Sequence, residues 1–275
     1  MGRKLFCEIS PLCFKISQFK EAMIRDINDL FCKQKFASSR SNRNLNNVIK
    51  SHSSVIVRKL HGVDIKLQEN KLVNIKLACD KFNGIIIRSG EVFSFWRILG
   101  NPTKKRGFLE GLVISKSKLS SGIGGGLCQM ANMIHLLVLH SPLTVCELHH
   151  HSDALFPDEK RTVPFGTGTS ISYKNIDYRF KNTTNQDVQL LVWIDEGKLF
   201  GELRSEFPID TKYELVEENH HYRKENGKYY RISQVYRNVI DMSSNQMIRK
   251  ELILDNHSEV LYDYNLIPKN EIRDK

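Results

Sequence analysis

Apolar residues recur along this chain with two spacings, and the change from one to the other divides it. Between residues 16 and 36, Phe19, Met23, Ile27, Leu30 and Phe31 fall mostly three or four apart, the interval of one helix face. This predicts an amphipathic helix with a basic outer face. The polar run Ser38-Ser39-Arg40-Ser41-Asn42-Arg43-Asn44 breaks the pattern and reads as a linker. Val55-Ile56-Val57 predicts a short strand, and Leu67 to Phe82 a helix turning Leu72, Ile75, Leu77 and Cys79 to the core. Asn83-Gly84 supplies its stop, since glycine takes the left-handed conformation that ends a helix.

Alternation then takes over. Ile85-Ile86-Ile87 and Val92-Phe93-Ser94-Phe95 flank Ser89-Gly90 and predict strand, turn and strand, and Leu112 to Leu119 predicts one further strand. Helical spacing returns in Leu127, Met130, Ala131, Ile134, Leu137 and Val138, and Ser141-Pro142 ends it. Strands are expected at Thr144 to His149, Thr169 to Tyr173, Tyr178 to Asn182, Val188 to Ile194 and Leu199 to Leu203. The same style runs from Tyr213 to Tyr264, with Glu225-Asn226-Gly227 as a hairpin turn. The fold class is therefore α+β, a mixed helix and strand centre followed by an antiparallel, strand-rich C-terminal region. Three parts follow: a basic helical segment and linker over 1–45, an α+β domain over 46–206 and a strand-rich extension over 207–275.

Chemistry concentrates where the glycine run Gly124-Gly125-Gly126 meets Leu127-Cys128-Gln129 at the start of a helix. Glycines bring backbone close to a partner, and a thiol at a helix start meets unpaired N–H groups and the positive end of the dipole. Both effects favour a thiolate, so Cys128 is a candidate nucleophile and the opposing reading is a buried structural cysteine. Gln129 either helps form an oxyanion site with the backbone N–H groups or caps the loop. His135 shares the Cys128 face but lies about 10 Å further along the helix, too far for a base, and reads as a core-rim or surface histidine.

A better source of imidazole is Cys146-Glu147-Leu148-His149-His150-His151-Ser152-Asp153. If the strand runs through it, alternation puts His149 and His151 on one face and His150 on the other. A thiol beside an imidazole from a neighbouring strand, oriented by a third polar group, is the arrangement of cysteine hydrolases and acyltransferases. Glu147, Asp153 and Asp158 are candidates for that third group. Two alternatives stand: a metal held by the histidines with Cys128, and a noncatalytic site in which Gly124, Gly125 and Gly126 cradle an anionic or peptide-like ligand.

At 275 residues with a formal net charge of +10, the chain attracts polyanions in general. Its lysines and arginines are dispersed and lack the aromatic interleaving of a nucleic-acid module, so no specific nucleic-acid site is expected. An anionic membrane surface is a candidate partner for the basic N-terminal segment, while no stretch reaches the length of a membrane span. The six cysteines show no CxxC spacing and no disulfide framework, and no signal peptide is evident. A cytoplasmic location is the expectation, and neither a cofactor nor an oligomeric state is implied.

Four segments taken together resemble the VanW family: Gly90-Glu91-Val92-Phe93-Ser94-Phe95-Trp96, Gly124-Gly125-Gly126-Leu127-Cys128-Gln129, Glu147-Leu148-His149-His150-His151-Ser152 and Asp177-Tyr178-Arg179-Phe180-Lys181-Asn182. The likeness runs from about Leu72 to Ser205. It implies a link to glycopeptide resistance and the cell envelope, with a cell-wall precursor as the expected ligand class, and it places Cys128, Gln129, His149 and His151 on the family's recurring polar positions. Gly168 stands where the family commonly carries an aspartate, so a third group from that position is lost or replaced.

Overall fold

The computed structural model describes residues 5–57, 64–115, 118–150, 153–155, 157 and 163–273. Its central layer is an antiparallel sheet of four strands in the order β1 (Asn47–Val55), β10 (Lys198–Ser205), β9 (Val188–Asp195) and β2 (Ile85–Ile87). Two helices, α3 (Ile65–Phe82) and α5 (Leu127–Leu139), pack on this sheet and on each other. Helix α5 is apolar almost all round because it is buried almost all round, with Met130, Ile134, Leu137 and Val138 inaccessible. Its close approach needs Gly201 on β10, where a Cβ would come within 2.9 Å of the Met133 side chain.

A second sheet joins β3 (Val92–Ser94), β8 (Arg179–Lys181) and β6 (Thr144–Glu147), with β8 in the middle. Phe93 stacks on its register partner Phe180 at 4.7 Å between ring centroids, fastening this sheet to the common core. The short helix α4 (Phe95–Leu99) starts directly on β3, and the Ser94 hydroxyl accepts from the Arg97 N–H as its cap. The C-terminal region is a meander of long strands, β11 (Thr211–Glu225), β12 (Lys228–Asp241) and β13 (Met247–Val260), turned at Asn226-Gly227, where both residues have positive φ. β7 (Asp153–Ala154) adds to it in parallel beside β13, so a piece of chain from before residue 206 completes this sheet.

Several sequence expectations are corrected. Residues 112–119 are not one strand: β4 (Glu110–Ser115) and β5 (Lys118–Ile123) form a hairpin, and the glycine run follows its second arm. β2 and β3 belong to different sheets although one turn joins them. The first strand lies earlier than Val55-Ile56-Val57, and Thr169 to Tyr173 is not a strand beyond a single bridge between Ser172 and Ile176. The polar run after residue 37 is no free linker, because Ser41 N–H donates to the Gly84 carbonyl and Ile86 N–H to the Ser39 carbonyl. The N-terminal helices span Phe6–Ile9 (α1) and Pro11–Phe31 (α2), and α2 carries an apolar rather than a basic outer surface.

Candidate functional site

The glycine run turns the chain from β5 into α5 under tight contact. Gly124 and Gly126 have φ of 79° and 92°, in the left-handed region. A Cβ on Gly125 would fall 2.1 Å from the carbonyl carbon of Gly111 on β4, and one on Gly126 would fall 2.2 Å from Cγ of Lys71. The buried Asn74 side chain holds the turn, its Nδ2 donating to the Leu109 and Gly125 carbonyls at 3.0 and 2.9 Å and its Oδ1 accepting from Leu109 N–H at 2.8 Å. The residue gave no sign of this in the sequence beyond being a polar position on an apolar helix face.

Four of the loop's donors are spent on nearby carbonyls. Gly124 N–H goes to Leu109, Gly125 N–H to Gly122, Leu127 N–H to Gly124 and Gln129 N–H to Gly126. Those four amides therefore do not form an anion cradle. Gln129 points away, its Nε2 donating to the Ser54 hydroxyl at 2.8 Å and the Val55 carbonyl at 3.0 Å on β1, which leaves its Oε1 buried without a partner.

Cys128 is half-buried on the first turn of α5. Burial pushes its thiol up, outweighing backbone hydrogen bonds at Ile171 and at Cys128 itself and the nearby charge of Lys71. Desolvation of the anion thus works against the thiolate that a helix start favours. One turn on, Asn132 Oδ1 accepts from Thr169 N–H at 2.7 Å and ties the 166–171 segment along α5. A side chain at Gly168 would begin 3.3 Å from that same Asn132 oxygen, so position 168 faces Asn132.

His149 and His150 lie beyond β6, which stops at Glu147, so strand alternation does not set their faces. His149 is exposed and its Nε2 lies 3.4 Å from Glu147 Oε1. His150 pairs through Nδ1 with the Gly166 carbonyl at 3.0 Å. His151 and Asp158 lie outside the described residues. Among the described residues no imidazole is hydrogen-bonded to Cys128, and no three His, Cys, Asp or Glu side chains converge as metal ligands. His135 is fully buried rather than rim-placed: Nδ1 pairs with the Tyr178 hydroxyl at 3.0 Å, Nε2 has no partner, and burial pushes the ring down to about 3.

What the structure does assemble is a polar network from three of the four segments. Asp177, buried, accepts from the Ser94 hydroxyl at 2.5 Å, from the N–H groups of Trp96 and Tyr178, and from Arg179 Nε at 2.7 Å. Arg179 also grips Asp29 of α2 through both terminal nitrogens, at 2.6 and 2.8 Å. Glu147 receives Arg25 of α2 in the same two-pronged way, both at 2.8 Å, and Asp177 N–H at 2.9 Å. Burial pushes both Asp29 and Glu147 up, yet the guanidinium hydrogen bonds and charges prevail and hold each below the usual carboxylate range.

Residues 70–204 match the family model described as VanW like protein. Over 201 residues the chain is 31% identical to the vancomycin B-type resistance protein VanW of Enterococcus faecalis, covering 73% of each chain. The chain belongs to the VanW family. It is also 29% identical over 146 residues to the uncharacterized protein YoaR of Bacillus subtilis, which spans 52% of this chain and 46% of that one. No solved structure matches. Within this VanW domain, the Ser94, Glu147, Asp177 and Arg179 segments build the second sheet and its ionic seam, whereas the Gly124 to Gln129 segment builds the turn into the core helix. Among the described residues no helix is long and apolar enough to cross a membrane.

Proposed function

We propose that this chain is a noncatalytic accessory protein of vancomycin-type resistance, which binds a cell-wall precursor or similar anionic, peptide-like ligand and does no covalent chemistry at Cys128. The observation that carries this reading is the setting of that thiol: raised by burial, with no hydrogen-bonded imidazole among the described residues and with Gln129 committed to β1. A nucleophilic cysteine needs the opposite electrostatics. The physiological setting comes from kinship with the enterococcal resistance protein, and the anionic ligand class from the formal charge of +10. Such a ligand meets side chains and surface potential, since the loop amides named above are occupied.

The test is glycopeptide susceptibility of a strain lacking the gene, complemented with the wild type or Cys128→Ala, alongside titration of both purified proteins with a soluble muropeptide precursor. Equal complementation and equal binding are expected. Loss of complementation by a folded Cys128→Ala protein overturns the noncatalytic reading, and absence of binding by the wild type overturns the ligand class.

A further inference from the structure

Helix α2 is attached to the domain the wrong way round for a core helix. At about 3.6 residues per turn, Leu12, Ile16, Phe19, Met23, Ile27 and Leu30 share an arc of roughly 80°, the stripe that a globular protein turns inward. Here all six are exposed, Leu12 at 67%, Phe19 at 68% and Leu30 at 78%. The face turned to the domain is the charged one: Arg25 meets Glu147 and the carbonyls of Lys174 and Asn175, Asp26 pairs with Lys174, and Asp29 pairs with Arg179. The ionic seam thus fixes the helix while holding its apolar side out, and a row of six large side chains in water calls for a partner.

The charges choose among partners. With Arg25, Asp26 and Asp29 paired against the domain, the remaining charged positions of α2 are Lys15, Lys20 and Glu21; by helical period position 21 lies opposite the stripe, whereas positions 15 and 20 border it on its two sides. That is where lysines of an interfacial helix reach anionic headgroups while their stems lie along the acyl boundary. A parallel pairing of two copies is disfavoured by the same positions, because the 12, 16, 19, 23 spacing continues to 26 and 30. Position 26, an aspartate, would then enter the seam, and positions 15 and 20, both lysine, would be the flanking pair of like charge in that register. We propose that α2 is an interfacial anchor that lays its Leu12 to Leu30 stripe into the surface of an anionic lipid bilayer. The inference is independent of whether the domain binds a cell-wall precursor.

Cosedimentation of the full chain with vesicles of equal parts phosphatidylglycerol and phosphatidylcholine, and with vesicles of phosphatidylcholine alone, tests it. The wild type should partition onto the anionic vesicles roughly tenfold better, with the difference shrinking as salt is raised. Phe19→Glu combined with Met23→Glu should lower anionic binding at least tenfold, while Lys20→Glu should lower only the anionic preference. Both changes are at exposed positions, and an unaltered thermal melt confirms folding. Binding unaffected by the double substitution, or no binding to either vesicle, overturns the proposal. So does a dimer in analytical ultracentrifugation that the double substitution dissociates, because a second copy would then cover the stripe.

Discussion

Replacing Gly125 by alanine tests the account of the glycine turn quantitatively. The added Cβ would lie 2.1 Å from the Gly111 carbonyl carbon, 2.3 Å from its oxygen and 2.6 Å from its Cα, against the 3.0 Å that real Cβ atoms respect. No flexible side chain can swing aside, since all three atoms are backbone within β4. Loop and strand must separate, and Asn74, which bonds the loop at Gly125 and Leu109 immediately before β4, resists. Overpacking costs about 1–3 kcal/mol, and straining one or two of the Asn74 bonds adds about 1 kcal/mol each. A loss of about 3 kcal/mol, or roughly 6–12 °C in melting temperature for a protein of this size, is expected. Gly122→Ala is the control: its Cβ would meet only Val113 methyls at 3.5 Å, so a change within about 1 kcal/mol is expected. Thermal unfolding followed by circular dichroism reads both. Equal melting temperatures for the two variants would refute the close-approach argument.

The ionic seam should be costly to break from one side. Arg179→Met removes the guanidinium from the buried Asp177 carboxylate and leaves Asp29 only the longer pairing with Arg97, for an expected loss of about 3 kcal/mol in urea unfolding and faster proteolytic cleavage within residues 5–35; a change under about 1 kcal/mol would argue against a buried pair. Asp29 and Glu147 are depressed in the folded state, so their contribution is complete above the unfolded carboxylate range of about 4 and is lost as pH falls through the lower folded values. Glu147→Gln should therefore flatten the acid limb of stability below about pH 4, and an unchanged limb would contradict the assignment. His135 acts in a higher window: its ring takes a proton below about 6.5 when unfolded but only near 3 when folded. Stability it supports is present above that upper value and falls on acidification, by at most about 1.4 kcal/mol per pH unit, a slope that His135→Phe should remove.

Much of the architecture was legible because it is local. The helix over Ile65–Phe82, with its stop at Asn83-Gly84, follows from spacing and a glycine in the left-handed region. The 226–227 hairpin turn is legible for the same reason. The 112–119 segment reads as one strand because its alternation of apolar and polar positions is unbroken by glycine or proline, so nothing in the pattern marks that β4 and β5 are separate arms. Strand alternation does not reach His149, because β6 ends at Glu147; that residue's side chain bonds Arg25, 122 residues away, which nothing in the local pattern marks.

The sequence by itself determined that a glycine run delivers Cys128 to the start of an apolar helix, and that α2 has one apolar side. Both are properties of neighbours in the chain, governed by backbone sterics and helical period. Only the tertiary structure decided what those features face. Desolvation in the packed domain pushes the Cys128 thiol up, and pairings across 122 to 150 residues turn α2 so that its charges meet the domain and its stripe meets solvent. Such outcomes depend on which distant groups share a low-dielectric interior, and residue order along a segment carries no record of that.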